Sequence, residues 1–119
     1  MRKLTINLPP VTKKNSQRIA YRGGHPIILP SAKYEQYEKD AGWFIQPFGI
    51  DFPVNVKCLY FMPTKRLCDL VNLQEATLDV LVKYGAICDD NSRIVVSMDG
   101  SRVLYDKENP RTEIYIERV

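Results

Sequence analysis

Residues 53–62, PVNVKCLYFM, constrain the fold more than any other run in the chain. Successive side chains of a strand alternate between its two faces, which puts Val54, Val56, Cys58 and Tyr60 together on one face. The second half of the run is apolar on the other face as well, the pattern of a strand inside a sheet rather than at its edge. Such a strand needs neighbours, and the rest of the chain supplies them. Leu4-Thr5-Ile6-Asn7-Leu8 alternates until Pro9-Pro10 stops it, and residues 112–117 alternate cleanly near the other end. Residues 93–98 and 101–105 are two further strands joined at Asp99-Gly100, either as a hairpin or as one bent strand. Residues 17–21 and 26–29 flank Arg22-Gly23-Gly24-His25, a Gly-Gly turn that predicts a hairpin or flap.

Two helices complete the pattern. Ser31 is a candidate N-cap for a helix over residues 32–46, with Tyr34, Tyr37, Ala41, Phe44 and Ile45 at helical spacing before Pro47 and Gly49. The second helix runs from Asp69 to Gly85. At about 100° per residue, Leu70, Leu73, Thr77, Val80, Leu81 and Tyr84 share one face. Val71, Leu78 and Val82 form a second apolar stripe, and Asn72, Glu75, Asp79 and Lys83 keep the remaining side. The order β, hairpin, α, β, α, β, β, β predicts an α+β (mixed α/β) fold, two helices on a mixed sheet. The length of 119 residues accommodates one core, so residues 1–119 read as a single domain.

Composition excludes several classes. With 45% hydrophobic and 26% charged residues, the chain is neither a disordered tail, a collagen-like fibre nor a disulfide scaffold. Cys58, Cys68 and Cys88 are an odd number at wide spacing, with the lone His25 far away, which argues against a zinc site and for reduced, mostly buried thiols. MRKLTINLPP has no apolar core of the kind a signal peptide carries. No run approaches the roughly 20 apolar residues that span a bilayer, so a cytoplasmic protein without membrane partners is expected. The net charge of +3 is small, yet it is unevenly placed. Residues 1–34 hold seven Lys and Arg and no acid, whereas the remainder holds ten basic and fourteen acidic residues. That partition suggests a polyanion contact beside an acidic site.

The acidic candidates are Asp69 at a helix start, Glu75 and Asp79 along the polar strip, and Asp89-Asp90 one connection later. Mg²⁺ takes oxygen ligands and usually only one or two protein carboxylates, a chemistry suited to phosphodiester hydrolysis. Asp69 would stay ionised in the positive field of the helix N-terminus. Each acid also has an ordinary structural explanation: a cap, a turn, and a solvated face with an Asp79–Lys83 pair.

Arg66-Leu67-Cys68-Asp69-Leu70-Val71-Asn72-Leu73, then Asp79-Val80-Leu81, Asp89-Asp90 and Ile94-Val95, resembles the signature of the RusA-type Holliday junction resolvases. Leu8-Pro9-Pro10, Ser31-Ala32 and Met62-Pro63 fit the same pattern. Residues 106–114 resemble the ending of phage-type members, which suggests a prophage gene. The resemblance implies a homodimeric endonuclease, dependent on Mg²⁺ (or Mn²⁺), that nicks four-way DNA junctions in paired fashion during recombination and repair. It assigns Asp69 and Asp90 as catalytic metal ligands. Two positions depart from it: Val71 stands where the pattern has a second aspartate, and Glu75 where it has a lysine. The site is then either rearranged, with Glu75 as the replacement carboxylate and Asp79 as a further ligand or a structural anion, or degraded. Rearrangement keeps the number of acids on the helix. Lys13, Lys14, Asn15, Arg18, Arg22, Lys65 and Arg66 are the expected DNA contacts. The rival expectations are a non-catalytic branched-DNA-binding protein on the same fold, and a small α+β oligomerisation or ligand-binding domain.

Overall fold

The computed structural model describes residues 1–13, 18–29 and 31–119, without the Arg18 side chain. Its elements follow the predicted order: β1 (Arg2–Ile6), β2 (Arg18–Arg22), β3 (His25–Leu29), α1 (Ala32–Ala41), β4 (Val54–Met62), α2 (Leu70–Lys83), β5 (Val95–Ser97), β6 (Arg102–Tyr105) and β7 (Arg111–Arg118). The architecture is α+β. No helix among the described residues is long and apolar enough to cross a membrane.

β4 is central, as its two-sided apolar half requires. β7 pairs antiparallel along one edge, with Val56 opposite Ile116 and Tyr60 opposite Thr112, and β1 pairs antiparallel with the far side of β7. β5 and β6 lie one after the other along the other edge of β4, both parallel to it. Asp99-Gly100 is therefore not a hairpin turn, and of the two alternatives the bent strand is the better description. Side chains bridge the break. Asn55 Oδ1 accepts from the Asp99 N–H at 2.8 Å and the Ser97 hydroxyl at 2.5 Å, while Ser101 Oγ accepts from the Cys58 N–H at 3.0 Å. Gly100 sits in the left-handed region at φ +86°, with the Lys57 side chain packed close against it.

One face of the sheet is closed by the helices. Leu4 and Ile6, Val54, Val56, Cys58 and Tyr60, and Ile114 and Ile116 bury against Tyr34, Tyr37, Leu73, Ala76, Val80 and Leu81. Inside this layer the hydroxyls of Tyr60 and Thr77 meet at 2.9 Å, and Thr77 also donates to the Leu73 carbonyl. A buried polar pair satisfied in this way fixes α2 over β4. Ser31 caps α1 as expected, its Oγ accepting from the Tyr34 N–H at 3.0 Å. That helix is shorter than its aromatic spacing suggests, because Gly42–Phe44 tighten into a 3-10 turn ahead of Pro47. All three cysteines are free, but only Cys58 is buried and Cys88 is exposed, since its turn lies outside the helix-covered layer.

Candidate functional site

Asp69 is the residue before α2, and it does not cap the helix with its side chain. Its Oδ2 instead accepts from Asn72 Nδ2 at 3.3 Å, so the carboxylate lies exposed at the helix N-terminus. The loop leading to it carries Lys65 and Arg66, both exposed. Lys65 stands over the Tyr105 ring at 5.2 Å. Between this loop and the Pro9-Pro10 segment lies a cleft of about 330 Å³, lined by Lys33 and Arg66 together with Cys68 and Leu73. Partial burial, and then the charge of Asp69, push the Cys68 thiol up from its ordinary value, so Cys68 stays a neutral thiol there. The result is a carboxylate beside a concave surface that two cations line.

Glu75 and Asp79, one turn apart on α2, take a different part. Lys13 Nζ lies 2.5 Å from Asp79 Oδ2 and 4.0 Å from Glu75 Oε1. The hydrogen bond to Asp79 raises the Lys13 pKa against a smaller opposing effect of burial. The expected Asp79–Lys83 pair does not form; Lys83 reaches Glu38 on α1 at 2.5 Å instead, because the tertiary packing brings α1 alongside the end of α2. A cation from the N-terminal segment thus sits on the polar strip of α2, bonded to Asp79 and within ion-pair reach of Glu75.

Asp89 and Asp90 are exposed in the turn after α2. Asp89 Oδ1 accepts from the Asp90 N–H at 2.7 Å and Oδ2 from Asn91 Nδ2 at 3.0 Å. These hydrogen bonds, the backbone one first, hold the Asp89 carboxyl below its ordinary value. This turn is anchored near the start of β4: Cys88 N–H donates to the Ile50 carbonyl, and Val54 N–H to the Ile94 carbonyl. Asp69 follows the end of β4. The two carboxylates therefore stand at opposite ends of α2, whose fourteen residues rise about 20 Å. The structure brings Glu75 and Asp79 together but does not join them to Asp69 or Asp90 in one cluster. Among the described residues no three His, Cys, Asp or Glu side chains gather to hold a metal ion.

A family model described as Endodeoxyribonuclease RusA matches residues 7–117. The chain belongs to the RusA family. No curated protein matches it. Seen within the RusA family, the candidate DNA contacts fall into three groups. Lys65 and Arg66 flank Asp69, Arg22 stands exposed at the β2–β3 turn, and Lys13 is engaged by acids. Lys14, Asn15 and the Arg18 side chain lie outside the described residues. Lys33, absent from the expected contacts, lines the cleft; its place in the acid-free segment was the available signal. Val71, where the resemblance leads one to expect an aspartate, is 68% exposed at the first turn of α2.

Proposed function

We propose that this RusA-family chain is a divalent-metal-dependent endonuclease that resolves four-way DNA junctions as a homodimer, with each active centre shared between two protomers. The observation that carries this reading is the separation of Asp69 and Asp90 along α2. Among the described residues of one protomer, no three acids gather where they would hold the metal, and Asp69 and Asp90 are apart. Asp69 of one copy and Asp90 of a second, both exposed hard-oxygen donors, supply the one or two carboxylates that Mg²⁺ or Mn²⁺ ordinarily takes from a protein. When bound, the ion would polarise the phosphoryl group and lower the pKa of a water. Arg66 and Lys33 would hold a backbone phosphate in the cleft beside Asp69. Glu75 and Asp79 would position Lys13 toward the same backbone, which makes them structural anions rather than metal ligands. A two-fold dimer then presents two equivalent centres for two symmetric cuts.

The test is a mobile synthetic junction incubated with Mg²⁺ and equal parts of Asp69→Asn and Asp90→Asn protein. Each variant alone is expected to lose more than the roughly 10–100-fold typical of a supporting residue. Mixed dimers regain single nicks, since one of their two shared centres has both aspartates. Two inactive variants that stay inactive when mixed overturn the shared centre. Binding by the wild-type protein without nicks, at any metal concentration, points to a non-catalytic junction binder. Glu75→Gln is expected to keep cleavage within about tenfold, as the loss of one partly exposed ion-pair partner would. A loss as deep as that of Asp69→Asn would return Glu75 to the metal.

A further inference from the structure

β2 and β3 form a two-stranded sheet of their own, apart from the five-stranded one. The turn at Gly23 and Gly24 has φ of +58° and +79°, the left-handed pair that a two-residue hairpin loop with the native twist requires. In its register Ile19 faces Ile28 and Tyr21 faces Pro26. Paired residues share a face, and alternate pairs share the same one, so these four side chains form one apolar surface. It is not covered: Ile19 is 69%, Tyr21 74% and Ile28 68% exposed, and Pro26 is exposed too. A lone two-stranded hairpin is at best marginally stable in water, and a contiguous exposed apolar patch marks a binding surface.

The charge around the patch selects the partner. Arg22 and His25 stand exposed at the tip, and no Asp or Glu occurs before Glu35. An acid-free ribbon is complementary to a polyanion. Five-residue strands reach about 17 Å, and a two-stranded ribbon fits the major groove of DNA. The apolar face cannot gain from phosphates, but it can gain from bases. At a branch point the terminal base pairs present open faces, on which tyrosine stacks and against which aliphatic side chains wedge.

We propose that the β2–β3 ribbon inserts Tyr21, flanked by Ile19 and Ile28, against the base pairs at the branch point and holds them unstacked. The proposal rests on the reading of the chain as a junction endonuclease. Its test uses the full chain and a four-way junction carrying 2-aminopurine beside the crossover, whose fluorescence rises on unstacking. Wild-type protein is expected to raise the signal. Tyr21→Ser with Ile19→Ser should bind the junction but lose the rise and cut roughly tenfold more slowly, while Tyr21→Phe, which keeps the stacking ring, should behave as wild type. Cleavage of a junction with unpaired bases already placed at the crossover should be spared. If the double variant still raises the signal, or if it sediments as a monomer where the wild type is a dimer, the wedge is overturned. The second result would assign the face to another copy of the chain. Failure of the wild-type protein to bind any junction would instead remove the functional reading itself.

Discussion

The closed face of the five-stranded sheet and the β2–β3 ribbon use the same materials. Ile114, Ile116 and Tyr60 alternate along β7 and β4 as Ile19, Ile28 and Tyr21 do along the ribbon. The first set is fully buried beneath two helices, and the second is exposed. Period-two alternation therefore specifies a strand with an apolar face but not what lies over that face. In the sheet the cover comes from the chain itself and the burial becomes stability. On the ribbon the cover must come from outside, and the same residues become a means of binding.

The comparison can be broken most forcefully from the sheet side. Ile114→Ala should cost about 2–5 kcal/mol, because the deletion leaves a cavity under packed helices. Urea unfolding would show this as a large drop in midpoint with an unchanged slope. Gly100→Ala should cost about 1–2 kcal/mol, since an alanine would have to adopt left-handed backbone where β5 hands over to β6. The same unfolding measurement checks it.

The outer face of the sheet, held by polar contacts, should respond to acid. Glu113 is kept below its ordinary 4.5, first by the hydrogen bond from the Tyr115 hydroxyl and then by Arg111. Asp106 is kept below its ordinary 3.8 chiefly by the hydrogen bond from Arg111. A depressed carboxyl pKa contributes stability above the unfolded-state value, and that contribution is lost as pH falls through the folded-state value. Unfolding free energy should therefore decline below about pH 4.5, and Arg111→Met should flatten the decline. An equal slope in both proteins would show that Arg111 does not carry the effect. The smallest change belongs to the ribbon: Ile28→Ser should alter the unfolding free energy by less than about 0.5 kcal/mol, as exposed substitutions do. A loss near that of Ile114→Ala would mean that the ribbon face is covered in solution and that the contrast does not hold.

Much of the fold was legible in local sequence. Ser31 announced the start of α1, Asp69 and Gly85 bracketed α2, and the double-sided apolar half of residues 53–62 marked β4 as central. The Asp99-Gly100 dipeptide was ambiguous, because its turn chemistry serves a jog in an edge strand as well as a hairpin. What decided it was an edge of β4 nine residues long that β5 covers only in part. The carboxylates were legible as candidates but not as a site. Helical spacing placed Glu75 and Asp79 on one strip; it held no information that Lys13, more than sixty residues earlier, would close on them.

By itself the sequence determined the element types, the sheet's inner residues, the family signature and the separation of a basic segment from an acidic one. These follow from properties within a turn or a strand: periodicity, caps, breakers and local charge. Only the folded chain shows that Lys13 joins the acids of α2, that Lys83 pairs across to α1, and that the turn carrying Asp90 is held at the start of β4, where it cannot fold back toward Asp69. Those outcomes depend on chain reversals that bring distant residues together or hold them apart, and local pattern does not encode the distance.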